Sequence, residues 1–339
     1  MKKNIIGSIA FILIFILLFL GISGVMSRKS LVGAWNHTSK IAGFYNEPED
    51  EFDIMFLGSS NSYCSFHPLV IYEESGIKSY VFASQQQPVW ATYTYMKECL
   101  KTQSPKLIVI DVLMFARFEE YYDDGVNYSF MDDIPLSKNK IELAWASEST
   151  NSGRFRLLCN FIKYHSRWNE LTEDDFTFVR SEADDYLRGY VLLEGIFNEA
   201  KAPDYTTEEI TPIGEKQEKY LHKIIDLAKD ADIPLLLVKA PSNVLAEDQR
   251  LFNAVEKIAE ERGVGFMEFN SKYGEIGLDL ATDFYDKSHL NYRGAEKFSR
   301  YFAEQMKLKY PDLFTESAPD AEWDADLEKY HEYIKEIQK

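Results

Sequence analysis

Basic residues are scarce in this chain of 339 residues: 37 lysines and arginines stand against 55 aspartates and glutamates, for a net charge of −18. Binding to a phosphate backbone needs a basic face, so this balance argues against a nucleic-acid partner. Cysteine is scarcer still. Cys64, Cys99 and Cys159 are odd in number and widely scattered, which argues against a disulfide framework even for a chain that faces an oxidising exterior. No Cys/His cluster has metal-ligand spacing, and neither a metal nor another cofactor is expected. Internal repeats are also lacking. What remains is 45% hydrophobic and 14% aromatic, which excludes wholesale disorder and suffices for one sizeable α/β domain or two small ones.

Charge is missing from one stretch in particular. In MKKNIIGSIAFILIFILLFLGISGVMSRKS, residues 5–26 carry none, with Lys2 and Lys3 before them and Arg28 and Lys29 after. A run of about 20 apolar residues matches the hydrocarbon thickness of a bilayer. A cleaved signal peptide would have a shorter apolar region and a small-residue cleavage site, so the length favours a signal anchor that stays. No cysteine follows closely, so a lipoprotein is not indicated. Lys2, Lys3 and the terminal amine keep the N-terminus inside. The expectation is a single-pass protein of a bacterial cell membrane with its globular part outside. Residues 1–29 read as the anchor, 30–50 as a tether, 51–312 as the folded domain, and 313–339 as an acidic tail ending in a short exposed helix.

Within the domain, short apolar runs alternate with amphipathic ones. DIMFLG, KSYVFAS, PKLIVIDVLMF, PLLLVKAPS and GFMEFN read as buried strands. WATYTYMKECLK, GEKQEKYLHKIIDLAKDADI, EDQRLFNAVEKIAEERGV and GAEKFSRYFAEQMKLKY read as helices. This alternation predicts an α/β fold with a parallel sheet covered on both faces. Residues 116–212 interrupt it. They are rich in aromatics and charges with weak strand signals, and read as a mostly helical insertion.

The first strand runs into DIMFLGSSNSYCSFHP, where hydroxyl side chains follow Gly58 at once. A serine attacks a carbonyl only when a base takes its proton and a third group holds that base. Of six histidines, His37 falls in the tether, His222 in a helical pattern and His331 in the tail; His67 reads as a structural neighbour of the serine loop. His289 stands in DFYDKSHLNYRG before the last core helix, with Asp286 three residues upstream. That spacing lets the carboxylate fix the imidazole tautomer and stabilise the imidazolium that forms. Ser59, Ser60 and Ser62 remain alternatives for the nucleophile, against a plain turn whose hydroxyls cap the next helix.

Gly58-Ser59-Ser60-Asn61-Ser62 and Asp286-Lys287-Ser288-His289 resemble the first and last blocks of the SGNH (GDSL-like) hydrolases. The resemblance spans about 53–115 and 213–310 and leaves the insertion uncovered. It implies a flavodoxin-like three-layer α/β/α fold. It also implies Ser60 as nucleophile, His289 as base and Asp286 as its orienting partner, with Ser59 and Ser62 hydrogen-bonding the loop. Ser59 replaces the family's usual aspartate, a change familiar in envelope relatives that act in teichoic acid D-alanylation and alginate O-acetylation. The family's oxyanion donors are the nucleophile's amide, a glycine amide after the second strand and an asparagine side chain after the third. Here Ala83 and Ser84 occupy the glycine region, leaving the amides of Ser60 and Ser84 as donors, and DVLMFARF holds no asparagine. Gln85 or Gln86 is the candidate substitute, and Asn61 is a further polar contact. The resemblance implies an extracytoplasmic serine acyltransferase or esterase acting on O-acyl groups of cell-envelope polysaccharide or teichoic acid, beside a polytopic membrane O-acyltransferase. A plain glycan O-acetylesterase and a non-catalytic scaffold are its alternatives.

Two further features are candidates for gripping substrate. His165, Arg167 and Trp168 sit together in NFIKYHSRWNELTEDDF, where arginine and tryptophan suit sugars or anionic groups. The competing reading makes Trp168 and Leu171 helix core, with His165 and Arg167 on a solvated face. Lys239 ends a strand, at the edge where open α/β sheets bind ligands, and is expected either to meet an anionic substrate or to lie on the surface.

Overall fold

The computed structural model describes residues 2–31, 36–243, 245–312 and 319–339. Five short strands form one sheet: β1 (Ile54–Leu57), β2 (Ser79–Val81), β3 (Leu107–Asp111), β4 (Leu235–Lys239) and β5 (Gly265–Glu268). All pairs are parallel, in the order β2-β1-β3-β4-β5. Successive side chains of a strand point to opposite faces, and here both faces are covered. Met55, Leu57, Ile108, Ile110 and Leu237 enter one core; Ile54, Phe56, Val109, Leu236 and Val238 enter the other.

The helices follow in chain order. The first three are α1 (Lys2–Met26), α2 (His37–Phe44) and α3 (Ser60–Ser65). Next come α4 (Pro68–Ser75) and α5 (Val89–Cys99). The insertion supplies α6 (Asp124–Met131), α7 (Lys138–Ser147), α8 (Asn151–Leu158), α9 (Asn160–Tyr164) and α10 (Asp174–Thr177). The rest are α11 (Glu215–Asp230), α12 (Ala246–Arg262), α13 (Tyr273–Ile276), α14 (Tyr292–Lys309) and α15 (Ala321–Ile337). Helix α11 buries Leu221, Ile224, Ile225 and Ala228, one stripe at helical spacing, in the first core with Trp90 of α5 and Phe252 of α12. Phe298, Phe302 and Met306 of α14 fill the second core. Residues 5–26 of α1 are long and apolar enough to cross a membrane. All three cysteines are free.

Three expectations need correction. The third strand stops at Asp111, and Leu113–Ala116 turn into a 3-10 helix. The tether is folded where it is described. Ile41 and Phe44 of α2 are core residues, and the Phe44 ring stacks on Phe82 at 4.0 Å. Lys40 is fully buried, with Nζ donating to the Tyr190 carbonyl at 2.6 Å, and burial pushes its ammonium down to about 8. The tail is not an exposed appendage either, because α15 buries Trp323, Tyr330 and Ile334 against the domain. Both segments are polar enough to read as solvated, and distant apolar partners cover them. The remaining positions of the tether and tail readings, 32–35 and 313–318, lie outside the described residues, as does Met1 of the anchor reading.

The insertion is helical only in its first part. From 183 to 214 there is no helix or strand, yet Tyr190, Val191 and Leu193 are buried. This stretch laces the edge of the sheet: the Val81 amide donates to the Arg188 carbonyl at 2.9 Å and the Val191 amide to the Tyr63 carbonyl at 2.7 Å. Gly189 makes the close passage possible, with φ +86° and an added Cβ only 2.0 Å from the Val81 oxygen. Gly189→Ala is therefore expected to lower the unfolding free energy by at least about 2 kcal/mol, read as a lower urea midpoint at constant slope. An unchanged midpoint would mean that this lacing is not part of the cooperative fold.

Candidate active site

The strand order places a topological switch between β1 and β3. Ligands of open α/β sheets bind outside the carboxyl ends of the strands at such a point. Ser60, the first residue of α3, lies three residues beyond β1, at this edge. The turn into α3 is shaped by Gly58, whose φ of +138° suits glycine alone and whose missing Cβ would sit 2.4 Å from Ser62 Oγ. Ser62 Oγ donates to the Leu57 carbonyl at 2.8 Å, so this hydroxyl holds the turn. Ser59 is buried, whereas Ser60 is half-buried.

His289 arrives from the other end of the domain. Phe284 and Leu290 form an antiparallel bridge, and the Tyr285 amide donates to the His289 carbonyl at 2.9 Å. This small loop presents Asp286 and His289 together. His289 Nε2 lies 2.9 Å from Ser60 Oγ, and His289 Nδ1 lies 2.9 and 3.0 Å from the two Asp286 oxygens. Asp286 Oδ1 also accepts from the amides of Ser288 and His289, at 2.7 and 2.9 Å. Burial alone pushes the Asp286 carboxyl up, but the imidazole and these two amides outweigh it and hold the carboxyl below its ordinary value. An ionised carboxylate only accepts. It therefore selects the tautomer with the proton on Nδ1 and leaves Nε2 to accept from the serine hydroxyl.

The ladder between β1 and β2 ends with the Phe82 amide donating to the Phe56 carbonyl at 2.9 Å. Beyond it, the amides of Ser60 and Ser84 donate to no acceptor among the described residues. The Ser84 side chain is committed elsewhere, with Oγ on Gln87 Oε1 at 2.9 Å. Gln85 and Gln86 occupy an exposed turn, where Gln86 has φ +47°. Gln85 lines a cavity of about 250 Å³ with His37, Arg28, Asp132 and Tyr164.

The substrate candidates divide differently. Asn61 is fully buried, its Nδ2 donating to Asp111 Oδ2 at 3.0 Å, so it braces the sheet edge instead of facing substrate. Lys239 is likewise fully buried, with Nζ donating to the Ala240 carbonyl at 2.5 Å and Ser242 Oγ at 2.8 Å; it is neither a surface lysine nor open to an anionic ligand. Both are corrections: Asp111 of a neighbouring strand closes over Asn61, and the turn that follows its own strand closes over Lys239. Arg167 is bound to α1, with Nη1 donating to the Met26 carbonyl at 2.9 Å. Trp168 is 73% exposed and so is not helix core, and His165 is exposed with Nδ1 near the Ile162 carbonyl at 2.9 Å. His67 is enclosed between the rings of Tyr190 and Tyr330, and burial pushes its imidazole well below the ordinary range, so it is neutral packing.

Three contributors to the site are not evident from motifs. Asp111 accepts from Asn61 Nδ2 and, at 3.0 Å, from the Ala240 amide, tying the ends of β1, β3 and β4 together. The Tyr63 hydroxyl is buried beside the Ser60 side chain, and burial pushes this phenol well above its ordinary value, so it stays neutral. The third is the strap at 188–197. Besides Tyr63 it binds the histidine side, with the Tyr292 amide donating to the Leu193 carbonyl at 2.9 Å and Asn291 Nδ2 to the Gly195 carbonyl at 3.0 Å. One segment thus braces both the serine helix and the histidine loop. Its sequence signal is the apolar run between Gly189 and Gly195.

Comparison with known protein families finds no match, and no curated protein matches. Among solved structures, the chain is similar to BT4096, a gut microbial diltiazem-metabolizing enzyme, at 13% identity and a TM-score of 0.28. The match covers 78% of this chain and 49% of that one, so this chain aligns with about half of that protein's length.

Proposed function

We propose that this chain is a membrane-anchored serine acyltransferase or esterase of the SGNH type. It acts outside the cytoplasmic membrane on O-acyl groups of cell-envelope polysaccharide or teichoic acid. The observation that carries this reading is the continuous relay from Ser60 Oγ through His289 to Asp286, with both links at 2.9–3.0 Å, at the switch-point edge of a parallel sheet. Ser60 Oγ attacks the acyl carbonyl carbon while His289 Nε2 takes its proton. The tetrahedral oxyanion is held by the amides of Ser60 and Ser84. Collapse breaks the bond to the leaving oxygen, which takes the proton back from His289, and the acyl group stays on Ser60. A glycan or teichoic hydroxyl, or water, then gives its proton to His289 as it attacks the acyl-serine; the acyl–Oγ bond breaks, and Ser60 Oγ takes the proton back from His289.

Transfer is favoured over free hydrolysis by the membrane helix, which keeps the site close to surface polymer and to a polytopic acyltransferase as donor. The lack of a side-chain oxyanion donor after β3 supports a second reading, a scaffold on which the chemistry has lapsed; losing one donor costs about two to three orders of magnitude in rate. A fluorophosphonate probe separates the two. The proposal predicts stoichiometric labelling that disappears in Ser60→Ala. A folded wild type that takes no label leaves the scaffold reading. Incubation with an acyl donor and teichoic acid or glycan acceptor then distinguishes transfer, in which the acyl group appears on the polymer, from release to water.

A further inference from the structure

We propose that the part of the insertion from Phe155 to Val179 is a membrane seat: its apolar side chains enter the outer boundary of the bilayer beside α1 and hold the domain at a fixed height above the lipid. This rests on α1 spanning the membrane, as proposed above.

Residues 5–18 of α1 are bare, but its last turns are covered. Phe19 and Ser23 are half-buried and Met26 is 6% exposed, and these positions share one helix face. The cover is α9, the 3-10 turn His165–Asn169 and α10. Phe161 meets the Phe19 ring at a centroid distance of 5.5 Å. Asn160 Nδ2 donates to Ser27 Oγ at 2.8 Å. Arg167 satisfies the Met26 carbonyl, one of the orphan acceptors at a helix C-terminus, and also pairs with Asp175 at 3.2 Å, which binds Lys29 at 3.3 Å. These ties fix the insertion to the end of the anchor.

Depth follows from helix geometry. The apolar run Ile5–Met26 is 22 residues long, about 33 Å, enough to fill a hydrocarbon layer of about 30 Å. Phe19 lies seven residues before Met26, about 10 Å along the axis into that layer. Phe161 touches Phe19, and Phe176 and Phe178 line a cleft with Leu20 and Gly21. Side chains at that level cannot remain in water once α1 spans. The surrounding surface suits the position: Phe155 is 61% exposed, Trp168 73% and Phe176 67%. Tryptophan beside apolar side chains belongs at the headgroup level, and interfacial elements sink about 5–10 Å. The charges here do not recruit anionic lipid. Glu170, Glu173 and Asp174 are exposed, while Lys163 is paired with Asp132 and Arg167 with Asp175. The seat therefore works by apolar insertion, with a lipid bilayer as its occupant.

The test uses the full chain in phosphatidylcholine vesicles. Flotation that resists an alkaline carbonate wash reports on α1 alone. Tryptophan quenching by phosphatidylcholine brominated high on the acyl chain reports on the seat, by comparing wild type with Trp168→Phe, a substitution at an exposed position. The expected result is a quenchable component that is present in wild type and lost in Trp168→Phe, unchanged when phosphatidylglycerol replaces part of the lipid. A protein that floats but whose quenching is the same in both forms overturns the seat and leaves the anchor standing. Such a result would assign the patch to a protein partner. A protein that does not resist the wash overturns the anchor and the seat together.

Discussion

Ser60→Ala and His289→Ala should each abolish turnover of an activated acetyl ester, with kcat falling by up to about a millionfold, and the double variant should be no worse than either alone. The reason is geometric. Ser60 Oγ and His289 Nε2 are 2.9 Å apart and share one proton, so neither works without the other. Asp286→Asn should cost less, about ten-thousandfold, because an amide in place of the carboxylate favours the wrong imidazole tautomer while leaving the loop in place. The carboxylate also takes the amides of Ser288 and His289, so Asp286→Ala should disturb the loop as well. Steady-state kinetics on the purified chain, with circular dichroism to verify folding, measures all five variants. Residual activity of Ser60→Ala within about tenfold of wild type would remove the relay from the mechanism, as would effects of Ser60 and His289 that simply add.

Trp323→Ala should destabilise the protein by about 3–5 kcal/mol, a third or more of a typical domain's stability. Trp323 is 1% exposed, with its ring against Tyr72 at 5.1 Å and its Nε1 donating to Glu51 at 3.0 Å. The Arg188 guanidinium lies 5.2 Å from the same ring and binds Glu47, Glu322 and Asp326 at 2.6–2.9 Å. Removing α15 altogether should therefore do more than expose an apolar patch. It also deprives Arg188 of two of its three carboxylates. Arg188 begins the strap that braces the serine helix and the histidine loop, so loss of α15 should also depress activity. Thermal unfolding of the detergent-solubilised chain, followed by near-ultraviolet circular dichroism, tests this. A truncated chain that melts with wild type would show α15 to be peripheral.

The elements legible from sequence are those whose pattern is local. Unbroken apolar runs specify strands buried on two faces, and the spacing of Leu221, Ile224, Ile225 and Ala228 specifies a helix with one buried stripe. An uncharged run the length of a bilayer specifies α1. Ser60, His289 and Asp286 are legible only as a set: each motif alone is weak, and it is their order, one after the first strand and one before the last core helix, that singles them out.

Burial decided by distant partners was not readable in the same way. Asn61 looks like a polar loop residue until Asp111 and Ala240, from the ends of two other strands, close over it. Helix α15 carries as many charged residues as apolar ones, and the facing Tyr72, Arg188 and His67 show which of its side chains are core. Arg167 and Trp168 form one dense motif, yet the fold separates their roles, one tied to the end of α1 and one left bare beside it. The sequence by itself determined the strands, the long apolar N-terminal helix and the residue types able to form a relay, because those depend on periodicity and length. The tertiary structure alone decided that the relay closes, that a strap from the insertion braces both of its sides, and that the insertion meets the end of α1. Those depend on contacts between residues tens to hundreds of positions apart, which no local pattern encodes.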